Sequence, residues 1–259
     1  MGVRGVAYAT VIAQAVSAVL VLITLSRNES CVRFDITKLR IDRARLKEVL
    51  KVGLPIGLQT SIVSFSNMFV QSYINHFETD CMAAWTVYNK IDSFATLPMQ
   101  SLMVAITTFA GQNKGAGKPD RIRSCIRKGL VIIVITSVLL LLPLFLFAPQ
   151  LVAFFNRKIE VIDYGSLLLR VVAPMLIGWG VSCVFSGAMN GCGNTRISMI
   201  LSLSSYVAFR QVYLFIMSRF ICNEFLPIAL GYPAGWIVCS IAHVIYYFAR
   251  GRTYINRIE

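Results

Sequence analysis

Long apolar runs dominate the chain, and short polar segments separate each run from the next. At about 1.5 Å of rise per helical residue, the longer runs approach the ~30 Å thickness of a bilayer hydrocarbon core. Such runs occupy residues 3–25, 53–74, 82–110, 130–147, 161–189, 197–220 and 225–249. The pattern predicts an all-α fold, a polytopic membrane helix bundle with seven spans. The first run is too long for the core of a signal peptide, so we interpret it as a membrane helix.

The composition agrees with a membrane protein. Hydrophobic residues make up 56% of the 259 residues and charged residues 14%, whereas soluble domains carry about 45–50% and about 25%. A net charge of +13 would also suit a nucleic-acid-binding protein. The basic residues, however, lie in the short loops between apolar runs, where they act as topology signals. We therefore expect the lipid bilayer as a partner and no nucleic acid.

Cysteine and histidine usage argues against metal chemistry. The seven cysteines contain no CxxC pair, and the chain has two histidines. Neither a disulfide framework nor a zinc site is indicated. No paired carboxylates or nucleophile motif points to catalysis. We expect no enzymatic activity, no catalytic residues, no metal site and no cofactor.

The basic residues are distributed unequally between the two sides of the predicted bundle. Most lie in the loop before the second span, in the loop before the fourth span and at the C-terminus. The other side carries only Arg4, Arg157, Lys158 and Arg219. Because short cytoplasmic loops are enriched in lysine and arginine, we expect a multi-pass protein of the cell membrane with a cytoplasmic C-terminus.

The segment before the second span has two interpretations. In residues 27–52, apolar residues such as Leu46 and Val49 alternate with basic ones. This pattern suits an amphipathic helix on the membrane surface, and a plain basic loop is an equal alternative. Pro55 is then expected in the first turn of the second span, where its missing amide costs least.

Polar side chains recur along the second span. Gln59, Asn67 and Gln71 are spaced by multiples of four and therefore lie close to one helix face. Such a stripe could line a substrate cavity, or it could hold helices together through hydrogen bonds of about 0.6 kcal/mol each.

A second polar stripe lies on the third span, at Tyr88, Asp92, Thr96 and Gln100. Lys90 is two residues from Asp92 and so points elsewhere. Charges inside a bilayer are costly and usually face protein or a wet cavity. Asp92 could therefore carry protons or bind a cation.

A purely structural role for these charges is the alternative. Asp92 could instead form an ion pair with neighbours of Lys90 or with Arg210 of the sixth span. Arg210, and Arg170 in the fifth span, would each need a carboxylate or carbonyl partner.

Two glycine-rich segments, residues 111–121 and 186–196, are predicted to be tight turns between helices. Neither has the Lys-Ser/Thr pair of a phosphate-binding loop. The prolines within the spans predict kinks or helix starts. They are Pro143, Pro174, Pro227 and Pro233.

Several motifs together resemble a known family. GLPIGLQ, the WTVYNKID run continuing into LPMQSL, GQNKGAGKPDR and GAMNGCGNTR occur in this order, one per helix or turn. This order is similar to that of the second lobe of the multidrug and toxic compound extrusion (MATE) family. The resemblance covers essentially the whole chain, from the sixth of the family's twelve helices onward.

The resemblance implies an antiporter that exports organic cations or drugs in exchange for protons or sodium. It implies two six-helix lobes around a central cavity and divides the chain into the last helix of a first lobe (1–26), a cytoplasmic linker (27–52), a second lobe (53–250) and a tail (251–259). The chain would then be a fragment whose partner is the missing N-terminal lobe. No acid occupies the positions in the seventh and tenth helices that the sodium-coupled branch uses, so the coupling ion stays open.

Two alternatives remain at this stage. A flippase for lipid-linked saccharides, from the same superfamily, would suit a cationic cavity built from Lys90, Arg170 and Arg210. The second alternative is a non-transporting fragment. For the carrier, the expected cavity residues are Gln59, Asn67, Gln71, Tyr88, Thr96 and Gln100, and the expected buried charges are Asp92, Lys90 and Arg210.

Overall fold

A computed structural model describes residues 2–27, 40–222 and 224–251, and within these ranges the chain forms helices and turns but no strand. The chain divides into two compact units, residues 1–49 and 50–259. Residues 28–39 of the predicted linker, with Cys31, and residues 252–259 of the predicted tail lie outside the described residues.

Eleven α-helices are defined in the described part. They are α1 (Gly2–Arg27), α2 (Arg43–Ile74), α3 (Thr79–Gly115), α4 (Pro119–Leu146), α5 (Ala148–Phe155), α6 (Ile159–Val172), α7 (Leu176–Gly191), α8 (Thr195–Leu203), α9 (Arg210–Ile216), α10 (Phe225–Ala229) and α11 (Gly231–Tyr246). A 3₁₀ turn joins α6 to α7, and π-helical turns follow α8, α9 and α11.

The seven predicted spans are confirmed. Seven helical segments of the described chain are long and apolar enough to cross a membrane. Four are the single helices α1 to α4, and three are composite: α6 with α7, α8 with α9, and α10 with α11. The all-α fold class is thus confirmed, and the second unit holds the last six spans.

The start of α2 differs from the prediction. Residues 43–51 are neither a separate surface helix nor a loop, because α2 begins at Arg43 and continues to Ile74. Asp42 caps this helix, since its Oδ1 accepts a 2.8 Å hydrogen bond from the Ala44 amide. Pro55 consequently lies well inside α2, and its expected place in the first turn is wrong.

The centre of the second unit is the crossing of α3 and α7. Every residue of α7 from Ser182 to Met189 is buried, and α7 also packs against α4 and α11. A Cβ on Gly187 would lie 2.8 Å from the Met103 carbonyl oxygen, and one on Gly191 would overlap the Thr107 carbonyl. Glycine here permits the close backbone approach that is typical of membrane helix pairs.

The two glycine-rich segments are tight helix ends, as predicted. Gly117 and Gly193 have positive φ angles of 66° and 82°. After α3, the Lys118 amide donates to the Asn113 carbonyl; after α7, the Asn194 amide donates to Met189. This six-residue closure with glycine in the left-handed conformation satisfies the last carbonyls of each helix. We call the end of the bundle with these turns the glycine-turn end.

The spans are interrupted where proline or serine disturbs the helix. Pro174 lies in the 3₁₀ turn that separates α6 from α7, while Pro227 and Pro233 lie in the first turns of α10 and α11. These three agree with the predicted kinks and helix starts. The π-helical turn at Ser204–Phe209 was not expected from the sequence, since no proline marks it.

Candidate functional site

The C-terminal half of α2 is joined to α9 by hydrogen bonds. Arg210 Nη2 donates to Ser66 Oγ and to Asn67 Oδ1, both at 2.8 Å. The neighbouring Gln211 donates through Nε2 to Ser66 Oγ at 2.9 Å. Arg210 is only 2% exposed, so these contacts replace water around a buried cation.

A second set of contacts joins α2 to α3. Trp85 Nε1 donates to Gln71 Oε1 at 3.1 Å, and Gln71 Nε2 donates to Asn75 Oδ1 at 2.8 Å. One turn along α3 from Trp85, the Tyr88 hydroxyl donates to Asp92 Oδ1 at 3.1 Å. The helical spacing predicted that Tyr88 and Asp92 share a face, and the structure brings them into contact.

Tyr232 of α11 links the two sets. Its ring centroid lies 4.9 Å from Arg210 Cζ and 5.4 Å from the centroid of Trp85. Trp85 in turn stacks on Tyr88 with centroids 5.4 Å apart. Side chains from four helices therefore form one connected group, which we call the polar–aromatic network. Its members are Ser66, Asn67, Gln71, Trp85, Tyr88, Asp92, Arg210, Gln211 and Tyr232.

Asp92 and Arg210 occupy opposite ends of this network. The ion pairs formed within the described residues include neither of them, so the alternative of an Asp92–Arg210 pair is not what the structure adopts. Arg210 contacts neutral oxygens and an aromatic ring through its guanidinium, although its Nε has no hydrogen-bond partner among the described residues, whereas Asp92 is only partly buried. Of the two charged side chains in the network, the Asp92 carboxylate is thus the one that is partly exposed at the surface of this unit.

Four predicted site residues lie outside the network. Lys90 is exposed, and its Nζ lies 5.7 Å from the ring centroid of Phe155 in α5, so its partner is aromatic and not an acid. Gln59 and Gln100 make no side-chain hydrogen bond with a described residue, and Thr96 donates only to the Ser93 carbonyl of its own helix.

The cationic cavity of the flippase alternative does not form from the predicted residues. Arg210 is engaged with α2, Lys90 lies against α5, and Arg170 is exposed on α6. These three charges face different surroundings and do not converge.

Sequence reasoning missed several members of the network, among them Ser66, Trp85, Gln211 and Tyr232. Trp85 is the first residue of the WTVYNKID motif already noted on α3. Ser66 and Gln211 are adjacent to Asn67 and Arg210 in sequence, and that adjacency was the available signal. Tyr232 had none, because an aromatic residue near the start of an apolar helix is typical of any membrane protein.

An ion pair lies at the end of the bundle opposite the glycine turns. Lys158 Nζ donates to Asp80 Oδ2, joining the segment after α5 to the start of α3. This hydrogen bond holds the pKa of Lys158 above its ordinary value. At the glycine-turn end, Lys114 Nζ instead donates to the Cys192 carbonyl at 2.8 Å and so caps α7.

The partly exposed members of the network include the Asp92 carboxylate and the Tyr232 ring, groups whose chemistry suits a cation. A carboxylate bordered by aromatic rings attracts organic cations, because the ring faces are electronegative and the carboxylate supplies a full charge. A carboxylate in a bilayer-length helix is also able to exchange a proton with solvent that reaches it.

Comparison with known proteins places this bundle in a family. The MatE family model matches residues 55–216, which is more than half of the chain. The chain therefore belongs to the MatE (MATE) family, and the resemblance noted in its motifs is confirmed.

Curated relatives agree with this assignment. The chain is 27% identical over 250 residues to a probable multidrug resistance protein, YoeA, of Bacillus subtilis, covering 95% of this chain and 54% of that protein. It is 24% identical over 250 residues to a probable multidrug resistance protein, NorM, of Thermotoga maritima, covering 96% and 53%. The chain thus spans about half the length of these relatives.

Solved structures show the same fold. A multidrug resistance MATE family transporter in an outward-facing conformation superposes with a TM-score of 0.90 at 20% identity, over 99% of this chain and 58% of that one. The bent form of the Vibrio cholerae MATE transporter VcmN superposes with a TM-score of 0.82 at 21% identity, over 99% and 58%. At these identities the likeness extends to the fold alone.

Proposed function

We propose that this chain forms one lobe, with a preceding helix, of a carrier that exports organic cations or drugs in exchange for protons or sodium. The observation that carries the proposal is Asp92, a partly buried carboxylate held by Tyr88 and without a basic partner among the described residues. Membership of the MatE family supports it, as do relatives named multidrug resistance proteins.

Competition at one carboxylate would explain coupling. A proton or sodium ion on Asp92 removes the negative charge that an organic cation needs, so the two ligands exclude each other. Mutual exclusion of this kind is reciprocal by linkage. In this scheme the partly exposed ring of Tyr232 supplies the apolar face for a flat cation, and Asn67 and Gln71 line the same wall. The buried rings of Trp85 and Tyr88 hold Tyr232 and Asp92 in place.

Arg210 has a different role in this proposal. Its guanidinium is buried and directed at Ser66 and Asn67, so it positions α2 and does not meet substrate. The electrostatic attraction for a cation then comes from Asp92, with Arg210 shielded by its partners. A substrate class of anionic lipids receives no support from this arrangement.

The orientation of the carrier follows from its charges. We infer that the glycine-turn end, with Lys118, Arg121 and Arg127, and the C-terminus face the cytoplasm of a cell membrane, as the distribution of basic residues favours. A C-terminal green fluorescent protein fusion is expected to fluoresce, and a C-terminal alkaline phosphatase fusion to stay inactive. The reverse pattern would refute this topology.

Ethidium export by the full-length gene product tests the transport proposal. In cells lacking other efflux systems, Asp92→Asn is expected to reduce export at least 10-fold, because a neutral amide neither carries the coupling ion nor attracts a cation. Asp92→Glu should retain part of the activity. Asp163→Asn removes an exposed acid of α6 as the matched control and should export normally. Unimpaired export by Asp92→Asn would overturn the proposal.

A further inference from the structure

A groove runs between α3 and α4 at the glycine-turn end of the bundle. It has a volume of about 460 Å³ and is walled mainly by apolar side chains. Leu102, Ala105 and Phe109 line it from α3, and Ile132 lines it from α4. Arg121 and Lys128 of α4 also border it, so the apolar groove has two positive charges along its α4 side.

The two basic side chains are placed to act together. Arg121 and Lys128 are seven residues apart on one helix and therefore on the same face, with Ser124 between them on the groove wall. The Arg121 guanidinium carbon lies 5.8 Å from the Phe109 ring centroid, which holds it over the groove. Asp120 pairs with Arg123 instead, and neither Arg121 nor Lys128 forms an ion pair with a described residue.

The position of these residues along α4 corresponds to lipid headgroups. The uninterrupted apolar part of α4 begins at Leu130, and residues 130–146 measure about 25 Å along a helix, close to the thickness of the hydrocarbon core. Arg121, Ser124 and Lys128 thus lie in the interfacial layer just beyond it. Arginine and lysine at this depth extend their charged ends towards the headgroups.

The exposed face of α4 is apolar, as a surface in contact with lipid acyl chains is. Large apolar side chains stay exposed along its length, including Val131, Ile135, Leu139 and Leu142. A second groove, of about 680 Å³, flanks α4 on the side of α7 and is bordered by Arg123 and Arg127. Each groove therefore has basic residues at one end and apolar walls along the rest. This arrangement matches the charged headgroup and the apolar acyl chains of an anionic lipid.

We infer that the groove between α3 and α4 binds an anionic phospholipid. The phosphate would be held by Arg121 and Lys128, with the Ser124 hydroxyl as a further donor. One acyl chain would lie along Leu102 and Ala105. This site is separate from the polar–aromatic network, so it serves as a lipid anchor or modulator and not as the transport site.

Native mass spectrometry of the purified protein in neutral detergent tests this inference, with phosphatidylglycerol and phosphatidylcholine as probes. We expect selective retention of phosphatidylglycerol. The double variant Arg121→Gln/Lys128→Gln should bind it about 10- to 30-fold more weakly, since a basic residue near a membrane surface contributes about 1 kcal/mol. Equal retention of phosphatidylcholine, or no effect of the variant, would overturn the inference.

Two controls separate a built site from diffuse attraction. Lys118→Gln/Arg196→Gln removes the same charge at the same end without lining the groove, and should weaken binding less than the groove pair does; an equal loss would contradict the site. Ala105→Phe keeps every charge and fills the groove at an exposed position, so it should also release the lipid. Displacement by soluble glycerol phosphate would exclude an acyl-chain role.

Discussion

The α3–α7 crossing and the α2 side of the bundle are held by different physical means. At the crossing, glycine lets two backbones approach so closely that a Cβ on Gly187 or Gly191 has no room. The helix α2, by contrast, has only four buried residues, Pro55, Ser66, Val70 and Ile74. Val70 and Ile74 pack into the core near the C-terminal end of α2, and Ser66, Asn67 and Gln71 add hydrogen bonds to other helices.

The difference suggests where the bundle is able to change shape. Close packing resists deformation, because any displacement loses many short contacts at once. Interhelical hydrogen bonds in membranes average only about 0.6 kcal/mol each, and new partners or water replace them readily in a wet cavity. We therefore expect α3 and α7 to move together and α2 to be the element that shifts in the proposed transport cycle.

The largest effect is expected from breaking the crossing. Gly191→Leu places a side chain on the Thr107 carbonyl and Ala110, so the helices must separate, at a cost of more than about 3 kcal/mol. Gly57→Leu is the matched control, since a Cβ there meets nothing within 4 Å. Thermal unfolding in detergent measures both. Similar midpoints for the two variants would contradict close packing as the source of rigidity.

A smaller effect is expected at the link between α2 and α9. Arg210→Ala leaves Ser66 and Asn67 without their charged donor, at a cost of about 1–2 kcal/mol. Arg210→Lys should recover part of this loss. Arg210→Ala should also increase the labelling of a cysteine introduced at Gly57 by a membrane-impermeant thiol reagent. Loss of stability without any change in labelling would argue against α2 as the mobile element.

A still smaller effect is expected at Gln71. Gln71→Ala removes the acceptor for the Trp85 indole and should lower the free energy of unfolding by about 0.6 kcal/mol. Asn75→Ala tests the exposed partner of Gln71 and should have less effect. Chemical denaturation followed by tryptophan fluorescence reports both variants. A larger loss from Asn75→Ala would reverse the proposed order of the two contacts.

The smallest effect is expected from the exposed pair of Lys158 with Asp80. Because the hydrogen bond from Asp80 raises the pKa of Lys158, the pair stabilises the fold fully below the ordinary lysine pKa of about 10.4 and loses that contribution as the pH rises through the raised pKa. Unfolding midpoints of the parent and Lys158→Gln should therefore differ slightly at pH 8 and converge once the pH exceeds the raised pKa of Lys158. A gap that widens at high pH would contradict this sign.

Local spacing predicted part of the candidate site. The i, i+4 relation of Tyr88 and Asp92 predicted a shared face, and their hydrogen bond follows from it. The helix start at Asp42 was missed, although Asp followed by a basic amphipathic stretch is a recognisable cap. Because this cap was not used, the helix was expected to begin at Gly53, and Pro55 was wrongly placed in its first turn.

The sequence did not predict which helices contact one another. Asn67 and Arg210 are separated by 143 positions, and helical periodicity assigns each a face without saying which helix lies opposite. The same limit applies to Lys90, whose aromatic partner Phe155 lies on a short helix that joins two spans.

By itself, the sequence determined the number of spans, the all-α class and the glycine turns, because bilayer length, apolar runs and left-handed backbone positions are local properties. Only the tertiary structure decided that Arg210 faces neutral oxygens and that Asp92 stays partly open beside aromatic rings. The physical reason is that a buried charge takes its partners from the helices packed around it, and that packing depends on how side chains of distant segments fit together.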